Sequence, residues 1–135
     1  MSFITWNDSY SVGVAIIDNQ HKRLVNIINE LNDAMGAGKG KEVLGKVLFE
    51  LIQYVNTHFK TEEEYMIKYQ YDEYEQHRYE HEKLTDEVKR FYEDFNSGKA
   101  VLSIQIMNFL RNWLMDHIII KDKKFGKFLN EKGMN

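Results

Sequence analysis

Leu51-Ile52-Gln53-Tyr54-Val55-Asn56-Thr57-His58-Phe59-Lys60-Thr61-Glu62 starts as an apolar helical stripe and ends as something else. Stepping by three and four through Leu44, Leu48, Leu51 and Val55, the face that should meet a core arrives at His58 and then Glu62. The period specifies an amphipathic helix. An imidazole and a carboxylate on its inner face need a reason to be there.

The same substitution recurs along the chain. A first helix is expected over about residues 19–35, with Asp18 as N-cap and Leu24, Ile28, Leu31 and Met35 on its stripe; run backwards, that stripe reaches His21. The Gly-rich segment Gly36-Ala37-Gly38-Lys39-Gly40 ends it, and the second helix runs over about 41–69. Asp72 and Glu75 have the spacing of a capping box for a third helix, whose stripe of Leu84, Val88, Phe91 and Phe95 leads back to His81 and His77. Asn96-Ser97-Gly98 closes it. A fourth helix over about 100–119, with Leu102, Ile106, Phe109 and Trp113 inward, leads to His117. The first dozen residues lack the period and read as an extended arm, and a short helical piece is expected over 123–131. Proline is absent, which suits long helices. The expected architecture is all-α: a single domain over 1–135, an up-down-up-down antiparallel four-helix bundle with short connections.

All five histidines of the chain thus fall on inward stripes, with Glu62 beside them. Buried without partners, neutral groups of this kind would each cost roughly 1–3 kcal/mol and a carboxylate far more. In an antiparallel hairpin, residues equidistant from the turn lie at one height. The midpoint of His21 and His58 falls in the Gly-rich turn, that of Glu62 and His77 at Tyr69-Gln70, and that of His81 and His117 at Lys99. The polar positions are therefore expected at one level. His58 with Glu62, and His77 with His81, are i, i+4 pairs on one helix face. Asp122 follows His117 by five residues, a step of about 140° on an α-helix; a loosening of the helix after Ile119 is expected to turn it inward.

Composition removes other classes. The chain has no cysteine, which excludes disulfides, thiolate metal sites and cysteine nucleophiles. A net charge of −3 with scattered charges gives no reason for a nucleic-acid or membrane partner. The basic group Lys121, Lys123, Lys124 and Lys127 reads as a wet helix face. Neither a signal peptide nor a membrane span is visible, so a cytoplasmic protein is expected. No exterior helix face carries a long apolar stripe, and a monomer is the expectation.

The order His21, then His58-Phe59-Lys60-Thr61-Glu62, then His77-Arg78-Tyr79-Glu80-His81, then His117 through Asp122 resembles the hemerythrins, the bacterial branch most of all. The likeness covers nearly the whole chain, including Trp6 and Asp18-Asn19-Gln20-His21-Lys22. It implies reversible binding of molecular oxygen at two iron ions bridged by an oxo or hydroxo group. By resemblance His77, His81 and His117 bind one iron and His21 and His58 the other, while Glu62 and Asp122 bridge them. It also implies an oxygen pocket of Phe59, Trp113, Ile120 and Leu24.

Seven nitrogen and oxygen ligands exceed what one tetrahedral zinc accepts. Two octahedral ions sharing these ligands and a bridging oxygen keep one open position, on the ion with two histidines. The competing class, carboxylate-rich di-iron oxidases, uses Glu-x-x-His motifs. Three residues before His58, His77, His81 and His117 stand Val55, Tyr74, Arg78 and Leu114, none acidic; only Asp18 before His21 has that spacing, and it reads as a helix cap. An oxygen carrier that is not an enzyme is therefore favoured over an oxidase. The use of the oxygen stays open among storage, delivery to an oxygen-consuming enzyme, sensing of oxygen or iron, and handling of peroxide or nitric oxide.

Overall fold

The computed structural model describes residues 3–135, apart from the side chains of Ile118 and Ile119. The described chain is helical, with no strand: α1 Ala15–Gly36, α2 Lys41–Lys68, α3 Tyr74–Asn96, α4 Ile104–Asp116, a π-helical segment His117–Asp122, and α5 Lys123–Glu131. It forms two compact units, Met1–Asn32 with Ser103–Asn135, and Asp33–Leu102. No described helix is long and apolar enough to cross a membrane.

In the first unit α1 buries Ile17, His21, Leu24, Ile28 and Leu31, the three-and-four spacing expected of it. It begins at Ala15, four residues earlier than expected, and Asp18 is not its N-cap residue. The Asp18 carboxylate instead accepts the Val12 N–H at 2.8 Å and the Ser11 hydroxyl at 2.5 Å, fastening the arm to the first turn. The described part of the arm contains one 3-10 turn, Asp8–Tyr10, flanked by Asn7 and Ser11 in extended conformation. Asn29 holds it further along, accepting from the Ile4 N–H and donating to the Ile4 carbonyl, at 2.7 and 2.8 Å. Ile4, Val12 and Val14 are buried, so the arm contributes core as well as cover.

α4 departs from expectation in start and in face. It opens at Ile104, where the Ser103 hydroxyl accepts the Ile106 N–H and caps the first turn. Its buried residues are Met107, Leu110 and Leu114, whereas Phe109 is 42% exposed. Stepping back from His117 by three, then four, then three reaches this set; the stripe through Trp113 is an alternative count that lies one residue off. α5 buries Phe125, Gly126 and Leu129.

The second unit is the hairpin of α2 and α3. α2 buries Leu48, Leu51, Val55, His58, Phe59, Glu62 and Met66. α3 buries His77, His81, Leu84, Val88 and Phe95. The expected capping box is not formed, because the N-cap position falls on Glu73 and carries no side-chain hydrogen bond. The turn is made by Gln70 at φ 57, with the Tyr71 N–H donating back to the Met66 carbonyl at 2.9 Å. This is a helix C-terminal motif that favours glycine.

Two substitutions test this packing. A Cβ on Gly126 would lie 2.1 Å from the Val12 carbonyl oxygen, so Gly126→Ala should destabilise by about 1–3 kcal/mol as the arm is forced off α5. Gln70→Gly should stabilise by up to about 1 kcal/mol, since glycine occupies the left-handed region without a side-chain clash. Denaturant midpoints measure both, and a neutral Gly126→Ala would contradict the close approach.

Candidate metal centre

The five imidazoles and the Glu62 carboxylate singled out by the periodicity are all buried, and so is Asp122. His21, His58, Glu62 and Asp122 have no exposed surface, and His77, His81 and His117 have at most 6%. In the first unit, α1 supplies His21 and the π segment supplies His117 and Asp122. Asp122 Oδ2 lies 2.6 Å from His21 Nε2 and 2.7 Å from His117 Nε2. The two rings meet edge to face at 5.9 Å. One carboxylate oxygen thus faces imidazoles from two helices.

The five-residue step from His117 to Asp122 is solved without breaking the helix. Hydrogen bonds of the i→i+5 kind put residues five apart on the same side, and the π segment spans these two residues and those between. The expected loosening after Ile119 is replaced by a wider turn that begins at His117 and passes directly into α5. Ile120, halfway round it, is 61% exposed. Its expected place in an apolar pocket is therefore corrected: a residue midway between two inward positions of one turn faces outward.

In the second unit α2 supplies His58 and Glu62, and α3 supplies His77 and His81. Glu62 Oε1 lies 3.4 Å from His58 Nε2 and 3.3 Å from His81 Nε2. The rings of His77 and His81 stand 4.7 Å apart, and ligand-capable atoms of Glu62, His77 and His81 lie within 4.8 Å of one another. Here too one carboxylate oxygen faces two imidazoles.

Such a donor set suits a cation. A wholly buried carboxylate among neutral imidazoles is costly, whereas a metal ion compensates its charge and accepts the imidazole lone pairs. Nitrogen and oxygen donors with no thiolate suit first-row divalent ions, iron among them. Phe59 is buried and stacked on His81, with centroids at 3.7 Å and planes 4° apart. Leu24 is fully buried, and half-buried Trp113 stacks on His117 at 5.8 Å.

Two neighbours were not legible beforehand. Glu63 Oε2 lies 2.9 Å from His81 Nδ1, the nitrogen opposite the one facing Glu62. A carboxylate there orients the ring and fixes which nitrogen carries the proton. Burial raises the Glu63 carboxyl above its ordinary range, opposed by the Arg78 guanidinium. In sequence it is one glutamate in the run Glu62-Glu63-Glu64, with nothing to mark it as inward. Tyr71, buried in the turn, lies edge-on to His77 at 6.4 Å.

A helical fold whose inner faces carry imidazole and carboxylate in place of aliphatic side chains is that of a metal-binding helical protein. Comparison with known proteins sharpens the class. The family description "Hemerythrin HHE cation binding domain" matches residues 12–129. A bacteriohemerythrin of Methylococcus capsulatus is 35% identical over 131 residues, covering 96% of this chain and 99% of that one. A bacteriohemerythrin of Pseudomonas aeruginosa is also 35% identical, over 147 residues, covering 96% and 95%. The crystal structure of a wild-type hemerythrin superposes with a TM-score of 0.89 at 34% identity, covering 93% of this chain and 97% of that one. The chain belongs to the hemerythrin family. Hemerythrin structures are four-helix bundles, the fold class expected from the periodicity.

The orienting role of Glu63 is testable. Glu63→Leu should weaken metal binding about tenfold or more, read by titration against a competing chelator. Glu63→Gln, which can still accept from His81, should lose less. Equal affinities in all three proteins would contradict the role.

Proposed function

We propose that this protein binds molecular oxygen reversibly at a di-iron centre held by His21, His58, Glu62, His77, His81, His117 and Asp122. His77, His81 and His117 would hold one iron and His21 and His58 the other, with Glu62 and Asp122 bridging. The observation that carries this reading is the placement of the carboxylates. Asp122 faces His21 and His117, and Glu62 faces His58 and His81. In the proposed assignment each pair contains one imidazole from each iron, which is where a bridging carboxylate belongs. Family membership supports the same assignment.

The chain's own residues would have distinct tasks. Two anionic bridges offset part of the cationic charge and set the spacing of the two metal positions. Glu63 holds the His81 ring by its second nitrogen. Phe59 and Leu24, both buried, keep water from the inner faces, and Trp113 shields the outer side of His117. The bound irons would supply reversible two-electron exchange with oxygen. A set with five imidazoles and two carboxylates is poor in anionic ligands, which favours a carrier over an oxidase.

The direct test is a spectrum through one oxygenation cycle. Protein reduced anaerobically with ferrous iron should develop a visible band in air and lose it under inert gas, for repeated cycles. A lasting oxidised spectrum after the first exposure would contradict reversible binding. The double variant His77→Ala, His81→Ala should lose about half of its iron or more by metal analysis, and unchanged iron content would remove both residues from the ligand set.

A further inference from the structure

The second unit carries a groove of about 520 Å³ between α2 and α3, within the size range of small-molecule sites. Its lining includes Phe59 and His81, the stacked pair just described. The groove therefore reaches, through one aromatic contact at 3.7 Å, an imidazole of the candidate centre. Buried ligands give a reductant no direct access, so a lining that includes this pair is a natural point of entry.

The walls restrict what can sit there. Half-buried Tyr74 offers aromatic surface, which suits a flat ring, while Phe59 lies buried behind the wall. Glu82, also lining, is engaged by Arg78 at 2.9 Å. Glu63, Glu64 and Asp86 then stand against Lys60 and Lys89, an acidic excess that disfavours an anion. We propose that this groove seats a small, flat, uncharged or cationic one-electron donor, which returns the oxidised centre to its ferrous state through Phe59 and His81. Two encounters complete the change: each donor loses one electron, one iron(III) becomes iron(II) each time, and no bond to the donor forms. The inference rests on the di-iron reading above and adds the route and class of the reductant.

The test uses iron-loaded, air-oxidised protein and two donors, reduced methyl viologen (a flat cation) and dithionite (an anion). Reduction by the viologen should saturate with its concentration. The double variant Glu64→Lys, Asp86→Lys should slow it about tenfold while dithionite reduces the variant at least as fast as the parent. Thr85→Trp, which fills the groove from its α3 wall, should abolish saturation. Titration with the oxidised viologen should shift backbone amide resonances of residues 59–67 and 82–89. Viologen rates within about twofold of the parent in both variants, equal slowing with both donors, or shifts scattered outside those residues would overturn the proposal. Failure of the di-iron reading would show separately, as missing iron and no oxidised band in the parent protein.

Discussion

Two carboxylates with no exposed surface, Glu62 and Asp122, constrain everything else in this structure. A carboxylate in so dry a setting survives as an ion only if positive charge or strong hydrogen-bond donors meet it. Here each meets two imidazoles at 2.6–3.4 Å. Imidazoles that are themselves buried satisfy the charge fully only as cations or as fellow ligands of one. The helices can therefore be read as a means of delivering donors to fixed positions. Removing one member of such a set costs several kcal/mol, because the group left behind stays buried.

That requirement explains local features that otherwise look arbitrary. The π segment exists where His117 and Asp122 must share a side at a spacing that an α-helix does not offer. The arm is tied down by hydrogen bonds of Asn29 at Ile4, of Asp18 at Ser11 and Val12, and of Asn130, whose side chain donates to the Gly13 carbonyl at 2.9 Å. Gly126 lets the backbone at Val12 approach α5 more closely than any Cβ would allow. Polar side chains spent on backbone groups in this way leave Ile4, Val12 and Val14 free to be buried.

Much of this was legible in the residues, for a simple reason. Periodicity reports which face of a helix is inward, and the histidines and Glu62 interrupt otherwise apolar faces, so their burial could be read directly. What failed was finer than the period. On α4 two stripes one residue apart both lead to His117, and only the Ser103 cap and the packing select Met107, Leu110 and Leu114. Asp18 and Asp72 look like caps in sequence, yet one binds the arm and the other leaves the N-cap position to Glu73. Ile120 was drawn into the pocket by resemblance, and a π turn carries it outward. Glu63 was invisible because its partner lies 18 residues away on another helix.

The proposed centre rests on one claim, that two metal ions per chain would compensate the buried carboxylates. Anaerobic titration of the metal-free protein with ferrous iron, followed by the signal of the bound metal, tests it most directly. The account predicts saturation at about two equivalents, with Asp122→Asn and Glu62→Gln each lowering affinity at both positions because each carboxylate serves both ions. Saturation at one equivalent, or loss confined to one position in each variant, would contradict it.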